Sequence, residues 1–338
     1  MRQAIMGAGS LGTILGALLT RQGYQIDLVD VWTEHVRTLN EKGAAITGKM
    51  KLNQAVTALT PDQMEGYYDI IYYIVKSTDN VNALPFVKEH LKTDGTAVVM
   101  QNGLPEENVA AVIGTERTVG CPIGWGATLI APGVSELTSD PEMMTFDLGE
   151  LDGSDTKRLD ILAEILNCAG IAHKSNNLVG LRWSKLVSNC TFSAMSTLMG
   201  GSFGDVLDDE KALYCAATIC KEALAVMAAA DIVPELIQGA DIRWLDFTNR
   251  EGYQNLIPVY KAIFGPHRAL KASMLQDCEK GKPCEIDNIN GAISTWAARY
   301  GVNVPVNEQV TRIIKEIDQG KLKPSPTNLD LIKVSDLV

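Results

Sequence analysis

The chain has 338 residues, of which 46% are hydrophobic and 21% charged, and its formal charge is −11. This length is ample for two domains with buried cores, and the composition is typical of a soluble globular protein. The negative charge argues against general affinity for nucleic acid or anionic membranes, since both favour a basic protein surface. An anionic substrate would therefore need a few local positive groups.

The cysteines and the apolar runs indicate the cellular compartment in which the protein works. Seven cysteines are scattered without a CxxC pair, and the four histidines are isolated. This pattern predicts reduced thiols in a cytoplasmic protein and offers no recognisable metal site. No apolar run reaches the length of about 18 residues that a membrane span needs. Glycines interrupt the apolar N-terminus, which argues against a signal peptide.

Residues 2–30 predict a strand, a glycine turn, a helix and a second strand. In "RQAIMGAGSLG", Gly7, Gly9 and Gly12 form a GxGxxG pattern between the first strand and the helix. The first glycine permits a tight turn, the second lets the backbone approach a diphosphate, and the third lets the helix pack on the strand. The predicted dinucleotide-binding turn comprises Gly7, Ala8, Gly9, Ser10, Leu11 and Gly12.

Asp30 ends the second predicted strand, "YQIDLVD", 18 residues after Gly12. The carboxylate of an acid in this position accepts hydrogen bonds from the adenosine ribose hydroxyls of a dinucleotide. Because a carboxylate repels a 2′-phosphate, Asp30 favours NADH over NADPH. Arg37 and Lys49 offer possible phosphate contacts, so NADPH remains the alternative.

Two later apolar runs predict parallel strands with polar groups at their carboxyl ends, where ligands of open α/β sheets collect. Residues 68–77 end near Lys76, and residues 96–103 end in Asn102-Gly103. The structural alternatives are a solvated strand end for Lys76 and a simple turn for Asn102. Residues 117–150 alternate between apolar and polar with frequent glycines, which predicts antiparallel strands that complete the first domain.

Helical patterns dominate from about residue 180, and no internal repeat is evident. The predicted organisation is a dinucleotide-binding α/β Rossmann-type domain at 1–178, an all-α substrate domain at 179–320 and a peripheral, proline-broken tail at 321–338. Helices are predicted near 181–200, 208–230, 234–248, 255–280, 284–300 and 305–318.

The stretch "RWSKLVSNCTFSA" places a lysine at the edge of a helix that is otherwise apolar. Lys185, Asn189 and Ser193 recur at i, i+4 and i+8, which puts them on one face. A parallel apolar stripe is formed by Leu186, Cys190 and Ala194. A surface lysine that lays its stem on the core is the structural alternative.

Two further segments supply polar side chains. "KASMLQD" contains Ser273, and "PCEIDNINGAI" opens a predicted helix with Glu285 in its first turn. Taken alone, Ser273 is no more than a surface hydroxyl and Glu285 a partner of the helix dipole.

The chain resembles the 2-dehydropantoate 2-reductase, or ketopantoate reductase, family over most of its length. The resemblance rests on an ordered set of motifs: "GAGSLG" (7–12), "VKS" (75–77), "QNG" (101–103), "GATLIAPG" (126–133), "WSKLVSNC" (183–190), "SMLQD" (273–277) and "EIDNINGA" (285–292). It implies a Rossmann-type domain followed by an all-α domain, in the arrangement of 6-phosphogluconate dehydrogenase.

The resemblance also implies an activity and roles for particular residues. The family reduces 2-dehydropantoate to pantoate with NAD(P)H, on the route to coenzyme A. Lys185 matches the general acid of the family, and Glu285 matches a carboxylate that holds substrate and the proton network. Asn189 and Ser273 match substrate contacts, and Ser193 is expected to contact the substrate with them. Lys76 and Asn102 match residues at the junction of cofactor and substrate. A homodimer is expected by analogy alone.

The sequence departs from the family pattern at several positions. Ser193 stands where asparagine is frequent, Val31 where arginine is frequent, and Ser77-Thr78 where alanine and an aromatic residue are frequent. The absence of that arginine agrees with Asp30 in favouring NADH. Two other functions are compatible with the residues: an opine- or hydroxyacid-type reductase of another 2-keto acid, and a dinucleotide-binding sensor without turnover.

Overall fold

The computed structural model of the protein describes residues 1–236 and 239–334. The chain divides into two compact units. The first comprises Met1–Gln101 and Pro105–Leu178, and the second comprises Asn102–Leu104 and the described residues from Val179 onward. The short segment Asn102–Leu104 thus leaves the first unit in sequence and belongs to the second.

The first unit is built on two β-sheets. The strands of the larger sheet are β1 (Gln3–Met6), β2 (Ile26–Val29), β5 (Thr57–Leu59), β6 (Tyr68–Tyr73), β7 (Leu91–Val99), β8 (Thr118–Gly120), β11 (Thr145–Glu150) and β12 (Ile171–Lys174). Those of the smaller sheet are β3 (Ala44–Gly48), β4 (Leu52–Gln54), β9 (Ala127–Ala131) and β10 (Val134–Leu137). The larger sheet has the order β12-β11-β8-β7-β6-β1-β2-β5.

Strand β1 lies between β2 and β6, and both pairings are parallel. The chain therefore leaves β1 towards one side of the sheet and returns to its other side at β6. In an open α/β sheet, this reversal marks the crevice at the carboxyl ends of the strands where ligands bind. The antiparallel pairings predicted within 117–150 occur between β8 and β11 and between β9 and β10.

Helices connect the strands of the first unit: α1 (Ser10–Arg21), α2 (Thr33–Lys42), α3 (Asn80–His90), α4 (Glu106–Ile113) and α5 (Lys157–Leu166). One face of α1 is apolar and packs into the core, since Ile14, Leu15 and Leu19 are fully buried. Gly16 lets the helix approach the sheet, since a Cβ at this position would lie 2.7 Å from the Leu28 side chain. The helix is thereby held directly against β2.

The second unit is helical. Its helices are α6 (Leu178–Ser188), α7 (Ala194–Met199), α8 (Phe203–Asp208), α9 (Glu210–Ala229), α10 (Arg250–Phe264), α11 (Ser273–Glu279), α12 (Asn290–Tyr300) and α13 (Pro305–Asp318). A π-helical segment, Asn189–Ser193, joins α6 to α7. The fold class predicted from the sequence, a Rossmann-type α/β domain followed by an all-α domain, is confirmed.

The helices predicted over 255–280 and 234–248 differ from the structure. The pattern over 255–280 is divided between α10 and α11, because Gly265 and Pro266 interrupt it and Pro266 lacks a backbone N–H. Of the helix predicted over 234–248, the described part forms only a short 3-10 turn at Ile242–Leu245, capped by Asp241. Residues 237 and 238 of that prediction lie outside the described residues.

Helix α9 is long and apolar enough, by length and composition alone, to cross a membrane. However, 78% of its most apolar window is buried within the protein. The central helix of a water-soluble core has the same composition, so this feature is weak support for a membrane span.

Residues 321–334 are more closely integrated than the peripheral tail expected from their prolines. Leu329 and Ile332 are both buried in the helical core. The side chain of Asn328 donates a hydrogen bond to the Leu198 carbonyl at 3.0 Å. Apolar burial and a satisfied buried amide therefore tie the segment to α7. Residues 335–338 of the expected tail lie outside the described residues.

Candidate active site

The glycine turn after β1 has the geometry that its spacing predicts. Gly7 adopts φ +99°, and a Cβ there would lie 2.7 Å from the Val75 backbone nitrogen. At Gly12 a Cβ would lie 2.3 Å from the Gly7 carbonyl oxygen, so this position also requires glycine. The first and third glycines are thus needed for the backbone conformation and for close packing.

Gly9 differs from its neighbours because a Cβ built on it would meet no described atom within 4 Å. It is the N-cap of α1, and no described side chain accepts the free N–H groups at this helix end. Open space beside unsatisfied N–H groups and a helix dipole fits an anionic diphosphate. The turn of Gly7, Ala8, Gly9, Ser10, Leu11 and Gly12 therefore fits a dinucleotide cofactor.

His35 supports this turn through hydrogen bonds. The sequence alone did not indicate this role. The Gly133 backbone N–H donates to His35 Nδ1 at 2.9 Å, so the ring proton must reside on Nε2. His35 Nε2 then donates to the Ala8 carbonyl at 2.8 Å. Thr13 Oγ1 donates to the same carbonyl at 2.7 Å. A fully buried histidine with both nitrogens engaged fixes the backbone between Gly7 and Gly9.

Asp30 directly follows β2, at the carboxyl edge of the sheet where it was predicted. Its Oδ1 accepts a hydrogen bond from the Trp32 backbone N–H at 2.9 Å. This bond holds the start of the connection to α2. Val31, which replaces the frequent arginine, is 79% exposed. The local environment of Asp30 thus combines a fixed carboxylate with an uncharged neighbour.

Lys76 lies in the turn that follows β6, on the other side of the strand-order reversal. It is half-buried and precedes a 3-10 turn at Ser77–Asp79. The Gln101 side chain braces this turn, donating to the Val75 carbonyl at 2.8 Å and to Asn80 Oδ1 at 2.7 Å. Since Val75 also contacts Gly7, the turns after β1 and β6 pack together within the first unit.

In the second unit, Lys185 lies in the last turn of α6 and is half-buried. The apolar stripe predicted beside it is confirmed, because Leu186, Cys190 and Ala194 are each at most 1% exposed. Trp183 is fully buried against Trp296, with ring centroids 5.2 Å apart. The backbone that carries Lys185 is therefore anchored on its apolar side.

The π-helical segment contains both other members of the predicted polar face, Asn189 and Ser193. In an uninterrupted α-helix, the residue at i+8 is rotated by about 80° from the residue at i. The wider i→i+5 turn reduces the rotation per residue, which brings Ser193 back towards the line of Lys185. Both Asn189 and Ser193 are half-buried. The irregular turn therefore strengthens the alignment that α-helical spacing predicted.

A buried polar chain supports the π segment. Asn290 Nδ2 donates to the Cys190 carbonyl at 2.9 Å and to Asn307 Oδ1 at 3.0 Å. The Asn307 side chain donates in turn to Glu222 Oε2 at 2.9 Å. Glu222 also accepts the Val306 backbone N–H at the start of α13, at 2.9 Å. Burial raises the pKa of the Glu222 carboxyl, although these donors oppose the increase.

Glu285 does not lie in the first turn of an α-helix as predicted. It is the residue before a 3-10 turn at Ile286–Asn288, and α12 begins only at Asn290. The side chain is 3% exposed. The unusual backbone of Ile289, with φ −109° and ψ −87°, separates the two helical pieces. The carboxyl group is consequently held on a tight turn.

The Asn102–Leu104 segment packs against this same turn, inside the second unit. Gly103 adopts φ +79°, and a Cβ there would lie 2.3 Å from the Asn288 carbonyl oxygen. Asn102 is half-buried. The close approach explains the glycine and brings the predicted Asn102 into the neighbourhood of the turn that begins at Glu285.

Ser273 is the first residue of α11 and is exposed, whereas the next two residues, Met274 and Leu275, are buried. Helix α11 packs against α7 and the π segment. The second unit therefore groups the elements that carry Asn189, Ser193 and Ser273.

A mostly parallel sheet with a glycine turn, in a chain whose second unit is helical, is the architecture of a two-domain dinucleotide-dependent oxidoreductase. A model of the ketopantoate reductase PanE/ApbA family matches residues 3–153, and a model of the C-terminal part of that family matches residues 177–318. The chain belongs to the ketopantoate reductase family, as its motifs predicted. It is therefore an NAD(P)-dependent oxidoreductase, and the sensor interpretation is set aside.

Relatives and solved structures extend this similarity over nearly the full chain. A 2-dehydropantoate 2-reductase of Pyrococcus abyssi is 28% identical, covering 95% of this chain and 100% of the relative. The structure of a D-mandelate dehydrogenase with NADH and anilino(oxo)acetate has a TM-score of 0.82 and 25% identity, covering 95% of this chain and 99% of that one. A family member from Ralstonia eutropha JMP134 shares the fold, with a TM-score of 0.80, 23% identity and coverage of 95% and 99%.

Proposed function

We propose that the protein reduces 2-dehydropantoate to (R)-pantoate with NAD(P)H, in the biosynthesis of pantothenate and coenzyme A. The observation that carries this proposal is the half-buried Lys185 on an anchored helix, aligned with Asn189 and Ser193 on the adjoining π segment. The full-length similarity to a 2-dehydropantoate 2-reductase supports the choice of substrate.

The chemistry of the proposed reaction suits these residue types. A bound nicotinamide supplies the hydride that reduces the keto carbon. Lys185 stabilises the negative charge that develops on the former carbonyl oxygen and donates the proton that completes the hydroxyl group. Glu285 holds the substrate and the proton network. The carboxylate and hydroxyl groups of the substrate accept hydrogen bonds from, or donate them to, four further side chains: Asn189, Ser193, Ser273 and Asn102.

On the cofactor side, the glycine turn would hold the diphosphate, Asp30 the adenosine ribose, and Lys76 and Asn102 the nicotinamide end. Asp30 and the uncharged Val31 support NADH as the favoured cofactor, because neither offers a positive charge to a 2′-phosphate. NADPH is the alternative.

A second candidate is a reductase of an aromatic 2-keto acid. The similarity of this chain to D-mandelate dehydrogenase supports it, because that similarity is as extensive as the similarity to ketopantoate reductases of known structure. Ser193 in place of the frequent asparagine is compatible with an altered substrate.

Steady-state oxidation of NADH and NADPH, measured with 2-dehydropantoate, phenylglyoxylate and pyruvate, tests these assignments together. We expect the highest kcat/KM with 2-dehydropantoate and NADH. A preference for phenylglyoxylate would support the second candidate, and no turnover with 2-dehydropantoate would reject the first.

The proposal includes a cytoplasmic location and a homodimer. The seven cysteines form no disulfide with one another, which supports a reducing compartment. Sedimentation at several protein concentrations tests the prediction of a dimer. A monomeric mass at micromolar concentration would contradict it.

A further inference from the structure

Three potential metal ligands converge at one end of the helical unit. The Sγ atoms of Cys278 and Cys284 and a carboxylate oxygen of Asp318 all lie within 4.8 Å of one another. Cys278 is half-buried, Cys284 is buried and Asp318 is exposed. They come from the end of α11, the segment that leads to Glu285, and the end of α13. None of the three is assigned to the proposed reaction, although Cys284 directly precedes Glu285.

The backbone brings the two thiols together through the cap that ends α11. Gly281 adopts φ +63°, and its N–H donates to the Cys278 carbonyl at 3.1 Å. The Lys282 N–H donates to the Asp277 carbonyl at 2.9 Å. These two bonds form a Schellman motif, which reverses the chain after the helix. Cys284 is thereby returned towards Cys278, although the spacing is not that of a CxxC pair.

Asp318 completes the set from a different direction. It is the last residue of α13, where the partial negative charge of the helix end disfavours a carboxylate. Its Oδ1 accepts the Cys284 backbone N–H at 2.9 Å, which fixes the carboxylate beside the thiols. Within 1–236 and 239–334, no lysine or arginine forms an ion pair with it. A cation here would relieve an unfavourable local charge.

The two thiols lie close enough together to bind one ion. A divalent cation would replace their protons and stabilise both thiolates.

We propose that Cys278, Cys284 and Asp318 form a binding site for a thiophilic divalent cation of the Zn²⁺ type, with water as the fourth ligand. Zinc accepts two thiolates and a carboxylate in tetrahedral geometry. Zinc–sulfur bonds of about 2.3 Å place the two sulfur atoms about 3.8 Å apart, so only small shifts are needed. Bound metal would cross-link α11, α13 and the segment directly before Glu285, and would release protons from the thiols.

Zinc titration of the reduced, chelator-treated full-length protein against a chromophoric chelator tests this site. We expect one Zn²⁺ per chain, and Co²⁺ should give a thiolate-to-cobalt charge-transfer band. Cys278→Ser and Cys284→Ser should abolish binding, and Asp318→Asn should weaken it by about tenfold or more. Cys168→Ser, which changes a half-buried thiol in the other unit, is the matched control and should bind as the parent does.

Zinc should also protect Cys278 of the unchanged protein from alkylation, as read by mass spectrometry, which keeps the test valid if a variant fails to fold. Equal binding by the parent and Cys278→Ser, or no binding by the parent, would overturn the proposal. So would a disulfide between Cys278 and Cys284 that forms equally fast with and without Zn²⁺ when oxidised glutathione is added, because the pair would then be a redox couple.

Discussion

The Glu222 carboxylate in α9 accepts hydrogen bonds from both the backbone N–H and the side-chain amide of Asn307, at 2.8 and 2.9 Å. Asn307 lies in the first turn of α13, so one buried acid caps a helix from a distant part of the chain. Through Asn307 and Asn290, the same acid is linked to the carbonyl of Cys190 in the π segment. The support of the predicted substrate side chains is therefore a polar chain within the core.

Glu222→Ala should destabilise the protein by about 2–4 kcal/mol, because it leaves buried donors at the start of α13 without an acceptor. Urea unfolding measures the change. Glu316→Ala, which removes the i,i+4 partner of the exposed Arg312, should change stability by less than about 0.5 kcal/mol. Equal effects of the two substitutions would contradict the capping role.

Glu222 should also influence the pH dependence of folding. Its pKa is raised from the ordinary value of 4.5, mainly by burial, so the folded state binds the proton more tightly than the unfolded state. Its contribution to stability is thus present below pH 4.5 and is lost as pH rises through the folded-state pKa. Glu222→Gln should flatten the decrease in unfolding free energy over that interval. An unchanged slope would show that the group titrates normally.

Gly9→Ala and Gly12→Ala form a matched pair that separates ligand binding from folding. Gly12→Ala would place the new Cβ against the Gly7 carbonyl, which should lower stability by about 1–3 kcal/mol. Gly9→Ala meets open space, so it should change stability by about 1 kcal/mol or less while weakening dinucleotide affinity at least tenfold. Thermal unfolding and fluorescence titration with NADH make the comparison. Normal NADH affinity in Gly9→Ala would place the diphosphate elsewhere.

Lys185→Ala should reduce kcat by about 10²–10⁴-fold with little change in dinucleotide affinity, because the general acid is lost while the glycine turn is untouched. Stopped-flow reduction and equilibrium binding separate the two quantities. Lys211→Ala provides the control, since this lysine pairs with the exposed Asp330 at 2.9 Å. Near-normal turnover of the Lys185 variant would remove it from the mechanism.

Asp30→Asn should shift cofactor preference towards NADPH. The substitution removes a charge that repels the 2′-phosphate, yet it keeps an acceptor for the Trp32 N–H. Repulsion of about 1–2 kcal/mol corresponds to about a tenfold change in the ratio of kcat/KM values. Asp94→Asn, an exposed acid in β7, should leave the ratio unchanged. An unaltered ratio in Asp30→Asn would show that other groups decide the preference.

The glycine turn was predictable because its determinants are local. Gly7, Gly9 and Gly12 are close in sequence, and each of their conformational requirements follows from a spacing of two or three residues. The same holds for the apolar stripe beside Lys185, which one helical period reveals. Fold class followed from these patterns, since strands and helices alternate in the first part and helices dominate the second.

Features that depend on distant contacts were not predictable. The side chain of Asn290 that supports the π segment is 100 residues away from Cys190, and no periodicity signals this hydrogen bond. The role of His35 cannot be read from the sequence for the same reason, because its partner Gly133 is 98 residues further along the chain. The helical pattern of the sequence predicts Glu285 in the first turn of a helix, whereas the backbone at Ile289 breaks that helix. The sequence signals these positions only through residue type and neighbourhood. His35 follows the strand that ends in Asp30, and Asn290 lies within "EIDNINGA".

The π segment also fixes how the chain tolerates insertions and deletions. The five residues of Asn189–Ser193 turn the chain by about as much as four α-helical residues, because a π-helix rotates less per residue. Loss of one of them would restore a continuous α-helix and leave the phase of everything after it nearly unchanged, so Leu198, now fully buried, would still face the core. A single-residue deletion in this short stretch should therefore be less damaging than one within α6 or α7, which would turn the rest of the helix by about 100° about the axis.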